Sequence, residues 1–150
     1  MKTIKHQLYK ACQDYVEQRI NTIEKAINSA RETATSDSKS SAGDKYETTR
    51  EMMQQEIDRN TVQLNEAVKL KQLLALISPD KSSTTVQSGS LVLTNNGNFF
   101  IAISVGGLEV NGVKYFAISP SSPIGVRLMN LKPGEPFHFN GKTYLINSIE

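Results

Sequence analysis

Four carboxylates crowd one short stretch of the chain: Glu32, Asp37, Asp44 and Glu47, set against Lys39 and Lys45. Oxygen ligands of this kind suit a hard divalent cation such as Mg²⁺. Carried at a projecting tip, they also suit a lent role, steadying a metal or a water in another enzyme's active site. An ordinary solvated turn has the same composition. Other chemistry is scarce. Cys12 stands alone beside an apolar stripe, with nothing near it in sequence to lower its pKa, so it reads as a small seam residue rather than a nucleophile. His6 and His138 are far apart, and no His/Cys group has the spacing of a zinc site. His138 alternates with Phe137 and Phe139, which puts it on the opposite, solvated side of a strand. No glycine-rich stretch matches a phosphate-binding loop; Gly106-Gly107 reads as a bulge that breaks a sheet.

The elements that carry these residues differ between the two halves. Of 17 Lys/Arg and 15 Asp/Glu, 12 and 11 lie at or before Ser78, while eight of nine Gly and all five Pro lie after it. In the first half, Ile4, Leu8, Ala11, Tyr15/Val16, Ile20, Ile23, Ile27, Ala30 and Ala34 recur at alternating spacings of three and four. That is the stripe of an amphipathic helix with a narrow seam. A second stripe runs through Tyr46, Met53, Ile57, Leu64, Ala67/Val68, Leu70, Leu74 and Ile77, with Asn60, Thr61 and Lys71 as soft spots. Ser78-Pro79-Asp80 ends it, because the residue before proline is pushed out of helical geometry. Between the stripes, residues 35–43 are small and polar, and Ser41 or Asp44 can cap the second helix. Residues 1–78 therefore read as an antiparallel helical hairpin with its tip at about 35–44, each arm reaching about 45 Å. A dimerising coiled coil is the competing reading.

The second half reads as a small β-rich domain over residues 89–150, joined by a linker at 79–88. Asn96-Gly97, Asn111-Gly112 and Asn140-Gly141 each sit between strand-like runs, and Asn-Gly readily takes the positive φ angles of a tight hairpin turn. Ser122-Pro123 followed by Ile124, Val126, Leu128 and Met129 reads as a short helix with a serine cap and proline in its first turn. Lys132-Pro133-Gly134-Glu135 turns the chain back. The fold class is thus α+β: a helical hairpin, then an antiparallel sheet with one short helix.

Composition narrows the function. A net charge of +2 is too small to argue for nucleic-acid binding by charge alone. The single cysteine suggests a reducing compartment, and the N-terminus lacks the apolar core of a secretory signal, so a cytoplasmic protein is expected.

Two stretches resemble the Gre family of bacterial transcription elongation factors. Lys45-Tyr46-Glu47-Thr48-Thr49-Arg50-Glu51 resembles the family's tip-proximal E-Y-x-x-A-R/K-E. Ile118-Ser119-Pro120-Ser121-Ser122-Pro123-Ile124-Gly125 with Leu128, then Lys132-Pro133-Gly134-Glu135, resembles its I-S-x-x-S-P-[LI]-[AG]…L…K-x-G-[DE]. Lys142-Thr143-Tyr144-Leu145-Ile146 fits the closing strand, so the resemblance runs in order along nearly the whole chain. It implies an FKBP-like C-terminal domain that docks on RNA polymerase, with the hairpin entering the secondary channel. In the cleavage-active members an acidic tip, roughly G-D-L-S-E-N-A-E-Y, helps hold a catalytic Mg²⁺ of the polymerase.

The chain departs from that pattern at the tip. Aligned on Tyr46, the family's aspartate falls on Lys39 and its glutamate on Ala42, neither of which ligates a metal as a carboxylate does. Asp44 replaces an alanine and Lys45 a glutamate. The resemblance therefore implies a monomeric channel binder that modulates RNA polymerase without transcript cleavage, with no intrinsic catalysis and no cofactor of its own. Ser122, Pro123 and Arg127 are its expected docking residues. Alternatives are a cleavage-stimulating factor using Asp37, Asp44 and Glu47, a structural coiled-coil adaptor, or a prolyl isomerase. The last is disfavoured by the absence of Trp from the chain.

Overall fold

The structure is a computed structural model that describes residues 2–40 and 44–150, with side chains for 3–35 and 47–150. Two long helices, α1 (Lys2–Ser40) and α2 (Asp44–Ala75), precede six strands and a short helix, as the patterning predicts. The strands are β1 (Leu91–Thr94), β2 (Gly97–Ile101), β3 (Gly106–Val110), β4 (Val113–Ile118), β5 (Pro136–Phe139) and β6 (Lys142–Ile149); α3 (Pro123–Leu128) lies between β4 and β5. No helix among the described residues is long and apolar enough to cross a membrane.

The described chain forms two compact units, Val16–Lys71 on one side and Met1–Tyr15 with Gln72–Glu150 on the other. The described residues of the first are all helical. Ile23, Ile27 and Ala67 are buried between the antiparallel arms, with Ile20, Ile57 and Leu64 packed around them. Arg19 reaches across to Gln63 Oε1 at 3.2 Å and to Glu66 Oε2 at 3.8 Å. The soft spots are absorbed locally. The Asn60 amide donates to Glu56 O at 2.9 Å and Thr61 Oγ1 to Ile57 O at 2.7 Å, so each satisfies itself on its own preceding turn. Glu56 also pairs with Arg59, and that hydrogen bond, with lesser help from Asn60, holds its carboxyl below the usual range.

The described part of the polar run after Ala34, residues 35–40, is helical rather than a loop. α1 continues to Ser40, and Thr35 Oγ1 donates back to Arg31 O at 3.0 Å. Small polar residues are only mildly unfavourable in a helix, so an established helix carries them onward. The proposed cap Ser41 lies outside the described residues. At the other end α2 stops at Ala75, three residues before Ser78; Leu76 N and Ile77 N close onto Leu73 O and Leu74 O as a tightened last turn.

In the second unit the sheet order is β3-β4-β2-β1-β6-β5. It is mixed rather than wholly antiparallel, because β2 and β4 run parallel, pairing Phe99 with Phe116 and Ile101 with Ile118. After β2 the chain swings past the end of β4, with Ala102 N donating to Ile118 O and Val105 N to Ala117 O. It returns as β3 on the far side of β4, so β3 takes the edge and β4 is left beside β2 with the same direction. Gly106 and Gly107 are the first residues of β3, not a break: they pair with Ala117 and Phe116. Lacking a side chain, Gly107 leaves room for Lys114, whose ammonium sits 5.0 Å from the Phe116 ring centroid.

Two Asn-Gly steps form the expected turns, with positive φ at Asn111, Gly112, Asn140 and Gly141. The first does not. There the loop is Asn95-Asn96, and Gly97 already pairs with Thr94 as the first residue of β2. Thr94 competes for the turn, its Oγ1 donating to Gly97 O at 2.6 Å and accepting from Asn96 N at 3.1 Å.

One face of the sheet packs with α3 around Val92, Phe99, Ile101, Leu128, Phe137, Tyr144 and Ile146. Phe137 stacks on Tyr144 at 4.7 Å, and Phe99 meets Tyr144 edge-on at 6.0 Å and Phe116 at 6.1 Å. Leu91 and Phe100 alternate with these residues, hence belong to the other face, and are also buried. The same unit contains the start of α1, where Leu8 and Cys12 are fully buried. Lys5 is buried too. Its ammonium donates to Lys81 O at 2.8 Å, and desolvation lowers its pKa against the opposing pull of Glu150 and Asp80. His6 pairs with Asp80 at 2.7 Å, and Tyr9 Oη donates to Leu74 O at 2.7 Å.

Residues 79–88 do more than join elements. Val86 is fully buried, its N–H donates to Leu131 O, and its carbonyl accepts from Asn130 N.

Candidate functional site

The residues singled out for docking gather at α3. Ser122 has extended backbone angles (φ −66°, ψ 159°) and its Oγ accepts from Gly125 N at 3.1 Å, the geometry of a helix N-cap. The same hydroxyl donates to Ser119 O at 2.7 Å. Ser122 is therefore committed on both sides to holding the turn. Pro123 follows at the first helical position, where its fixed φ suits the helix and its missing N–H costs nothing.

Gly125, which the sequence marks only as the end of the Gre-like string, has a steric role. A Cβ on it would press into the carbonyl of Ser119 and lie 2.8 Å from Ser122 Oγ. The Ser119–Ser122 turn crosses the first turn of α3 so closely that only hydrogen fits. The signal was present in the sequence as a glycine inside a helical run of six residues.

Leu128 plugs α3 into the core with no exposed surface, and Met129 N closes the helix onto Gly125 O at 3.0 Å. The outward side carries Pro123, Val126 and Arg127, all exposed, with Val126 at 62%. A helix clamped at both ends thus presents an apolar ring, a branched aliphatic side chain and a guanidinium. That set offers a rigid contact with one planar, charge-assisted donor for a carboxylate or phosphate acceptor. The following turn is equally fixed. Glu135 N donates to Lys132 O, Lys132 N to the Glu135 carboxylate at 3.0 Å, and Gly134 N to Ile146 O at 2.7 Å.

The tip is a separate matter. Of its candidate ligands, Glu47 is exposed on α2; the side chains of Asp37 and Asp44 lie outside the described residues, as do Lys39 and Ala42. Among the described residues no group of three or more His, Cys, Asp or Glu is placed to hold a metal. His138 is exposed on β5 with Nδ1 2.9 Å from Thr143 Oγ1, the solvated strand position expected.

Cys12 is buried within the apolar seam, and desolvation pushes its thiol from the ordinary value of 9.0 up to about 12. The thiolate is the reactive form. Alkylation by iodoacetamide at mildly alkaline pH should be slower by at least about 100-fold in the native protein than in urea, read by mass spectrometry. Because the folded pKa is raised, the stability held by the neutral thiol is complete below the unfolded value and is lost as pH rises from 9.0 to about 12. Rapid native labelling would place Cys12 at an opening surface.

No known protein family, curated protein or solved structure matches the chain.

Proposed function

We propose that the chain is a cytoplasmic, RNA-polymerase-binding regulator of transcription elongation. It docks through α3 of its C-terminal domain and extends its hairpin into the secondary channel. The observation that carries this reading is the order of parts: an antiparallel helical hairpin followed by a β domain whose α3 is capped by Ser122-Pro123. That is the architecture implied by the Gre resemblance, and it coincides with the stretch where the resembling string is longest. Pro123 and Arg127, with Val126 between them, supply the contact; Ser122 acts through the cap. Lys39 and Ala42 stand where the resemblance calls for carboxylates. The protein therefore modulates the polymerase, whose own Mg²⁺ and active site do the chemistry, and does not itself promote RNA cleavage.

Purified bacterial RNA polymerase should be retained on the immobilised monomeric protein. Arg127→Glu combined with Pro123→Ala should weaken retention at least tenfold, about 1.4 kcal/mol, while leaving thermal unfolding unchanged. Halted, backtracked complexes supplied with the protein and Mg²⁺ should keep their RNA length. Absence of retention would remove the reading. Shortened RNAs that vanish on Asp37→Ala or Asp44→Ala would instead assign the tip a cleavage role.

A further inference from the structure

A cavity of about 450 Å³ opens where the end of α2 meets the segment leading into β1, wholly within the second unit. One wall is apolar, formed by Leu76 and Ile77. The rest is a concentration of hydrogen-bond donors: Ser78, Lys81, Ser82, Ser83, Ser88 and their neighbours. Lys81 is the one charged lining residue; the nearby Asp80 is turned to His6 and does not line the space.

The partners already made at this wall decide what is left over. Ser90 Oγ accepts from Gln87 N at 2.9 Å, and Ser83 Oγ accepts from Thr85 N at 3.3 Å. The backbone N–H groups of Ser82, Ser83 and Ser88, and the hydroxyls of Ser78, Ser82 and Ser88, have no partner among the described residues. Three amides, three hydroxyls and an ammonium thus belong to residues that line one concavity, and no carboxylate residue lines it. Such a surplus of donors with one positive charge favours an anion, because a basic or acceptor-poor ligand leaves those groups unmatched. A carboxylate offers two acceptor oxygens, whereas a phosphoryl group offers three strong ones in a tetrahedral array. The phosphoryl group uses more of the wall. The space exceeds a bare phosphate, and Leu76 and Ile77 give a carbon body an apolar surface to lie on.

We propose that this cavity is a binding site for a small phosphate ester, its phosphoryl oxygens held by Lys81, the amides of Ser82, Ser83 and Ser88 and the hydroxyls of Ser78, Ser82 and Ser88, its carbon body against Leu76 and Ile77. The site is separate from α3 and does not depend on polymerase binding.

The test is titration of the ¹⁵N-labelled full chain, at constant ionic strength, with glycerol 3-phosphate, inorganic phosphate and acetate. Both phosphates should give saturable shifts centred on the amides of Ser82, Ser83 and Ser88, the ester binding more tightly than inorganic phosphate and acetate weakest of the three. Lys81→Met should weaken the ester at least tenfold, and Ser82→Ala with Ser88→Ala should do the same independently; the unchanged remainder of the amide spectrum reports that each variant is folded. Shifts that never saturate, acetate binding as tightly as the ester, or affinity untouched by both variants would overturn the site.

Discussion

Gly125→Ala is expected to lower the unfolding temperature by about 10 °C, although alanine is ordinarily the better helix residue. The helix-propensity gain is about 1 kcal/mol. Against it stands a methyl group driven into the Ser119 carbonyl, a backbone atom that cannot rotate away. Overpacking of this kind costs about 1–3 kcal/mol and occasionally more. The same displacement pulls Ser122 Oγ from Gly125 N, adding a lost cap of about 0.5–2 kcal/mol. The clash wins by about 2–3 kcal/mol, which in a chain of this size is a shift of the stated order. Circular dichroism on heating measures it. A variant as stable as the parent would show that the Ser119–Ser122 turn lifts off α3 freely, and α3 would lose the rigidity argued from its clamped first turn.

The second large effect is at Phe99, where substitution by alanine should cost about 3–5 kcal/mol. The ring is only 5% exposed and contacts both Tyr144 and Phe116. It therefore joins the strand pairings on either side of β2 and β1, and its loss leaves a cavity that neither backbone can collapse to fill. Because whole-protein stability is only about 5–15 kcal/mol, the variant should show a greatly reduced urea midpoint. Phe99→Leu, which keeps most of the volume, should lose less than half as much. Equal losses for the two variants would mean that aromatic geometry rather than filled volume matters at this position.

What was legible in the sequence depended on how local the signal was. Strand pairs closed by two-residue turns are specified within a dozen residues, and β5 and β6 lie where Pro136–Phe139 and Lys142–Ile149 put them. Ser122-Pro123 marks a helix start by its own chemistry, and α3 begins there. The parallel pairing of β2 with β4 has no such local mark, since it follows from where the chain between them travels. Side-chain competition was similarly hidden: Thr94 moves a turn by one residue through hydrogen bonds that no propensity records. On the helices the seam was readable as a period but not to the residue, and Cys12 and Val16 take the fully buried places beside half-buried Ala11 and exposed Tyr15. At the residues expected to dock, exposure was legible and hydrogen bonding was not. Pro123 and Arg127 are exposed as a contact requires, whereas Ser122 could be either cap or contact until both of its hydrogen bonds were seen.

The lodging of β6 between β1 and β5 has a consequence for the order of assembly. Along its first half β6 pairs with its near neighbour β5, and along its second half it pairs with β1, Val92 opposite Ile149, with Asn147 looped out where the register shifts. The helical hairpin and the β5–β6 turn close short loops and form early, but β1 must wait for a partner far along the chain, and that closure is entropically slow. Until it arrives, the apolar strand Leu91-Val92-Leu93 is a bare edge, open to pairing with another copy of itself. The interval before β6 docks is thus when self-association is expected to compete with folding, and refolding yield should fall as protein concentration rises even where native stability is unchanged.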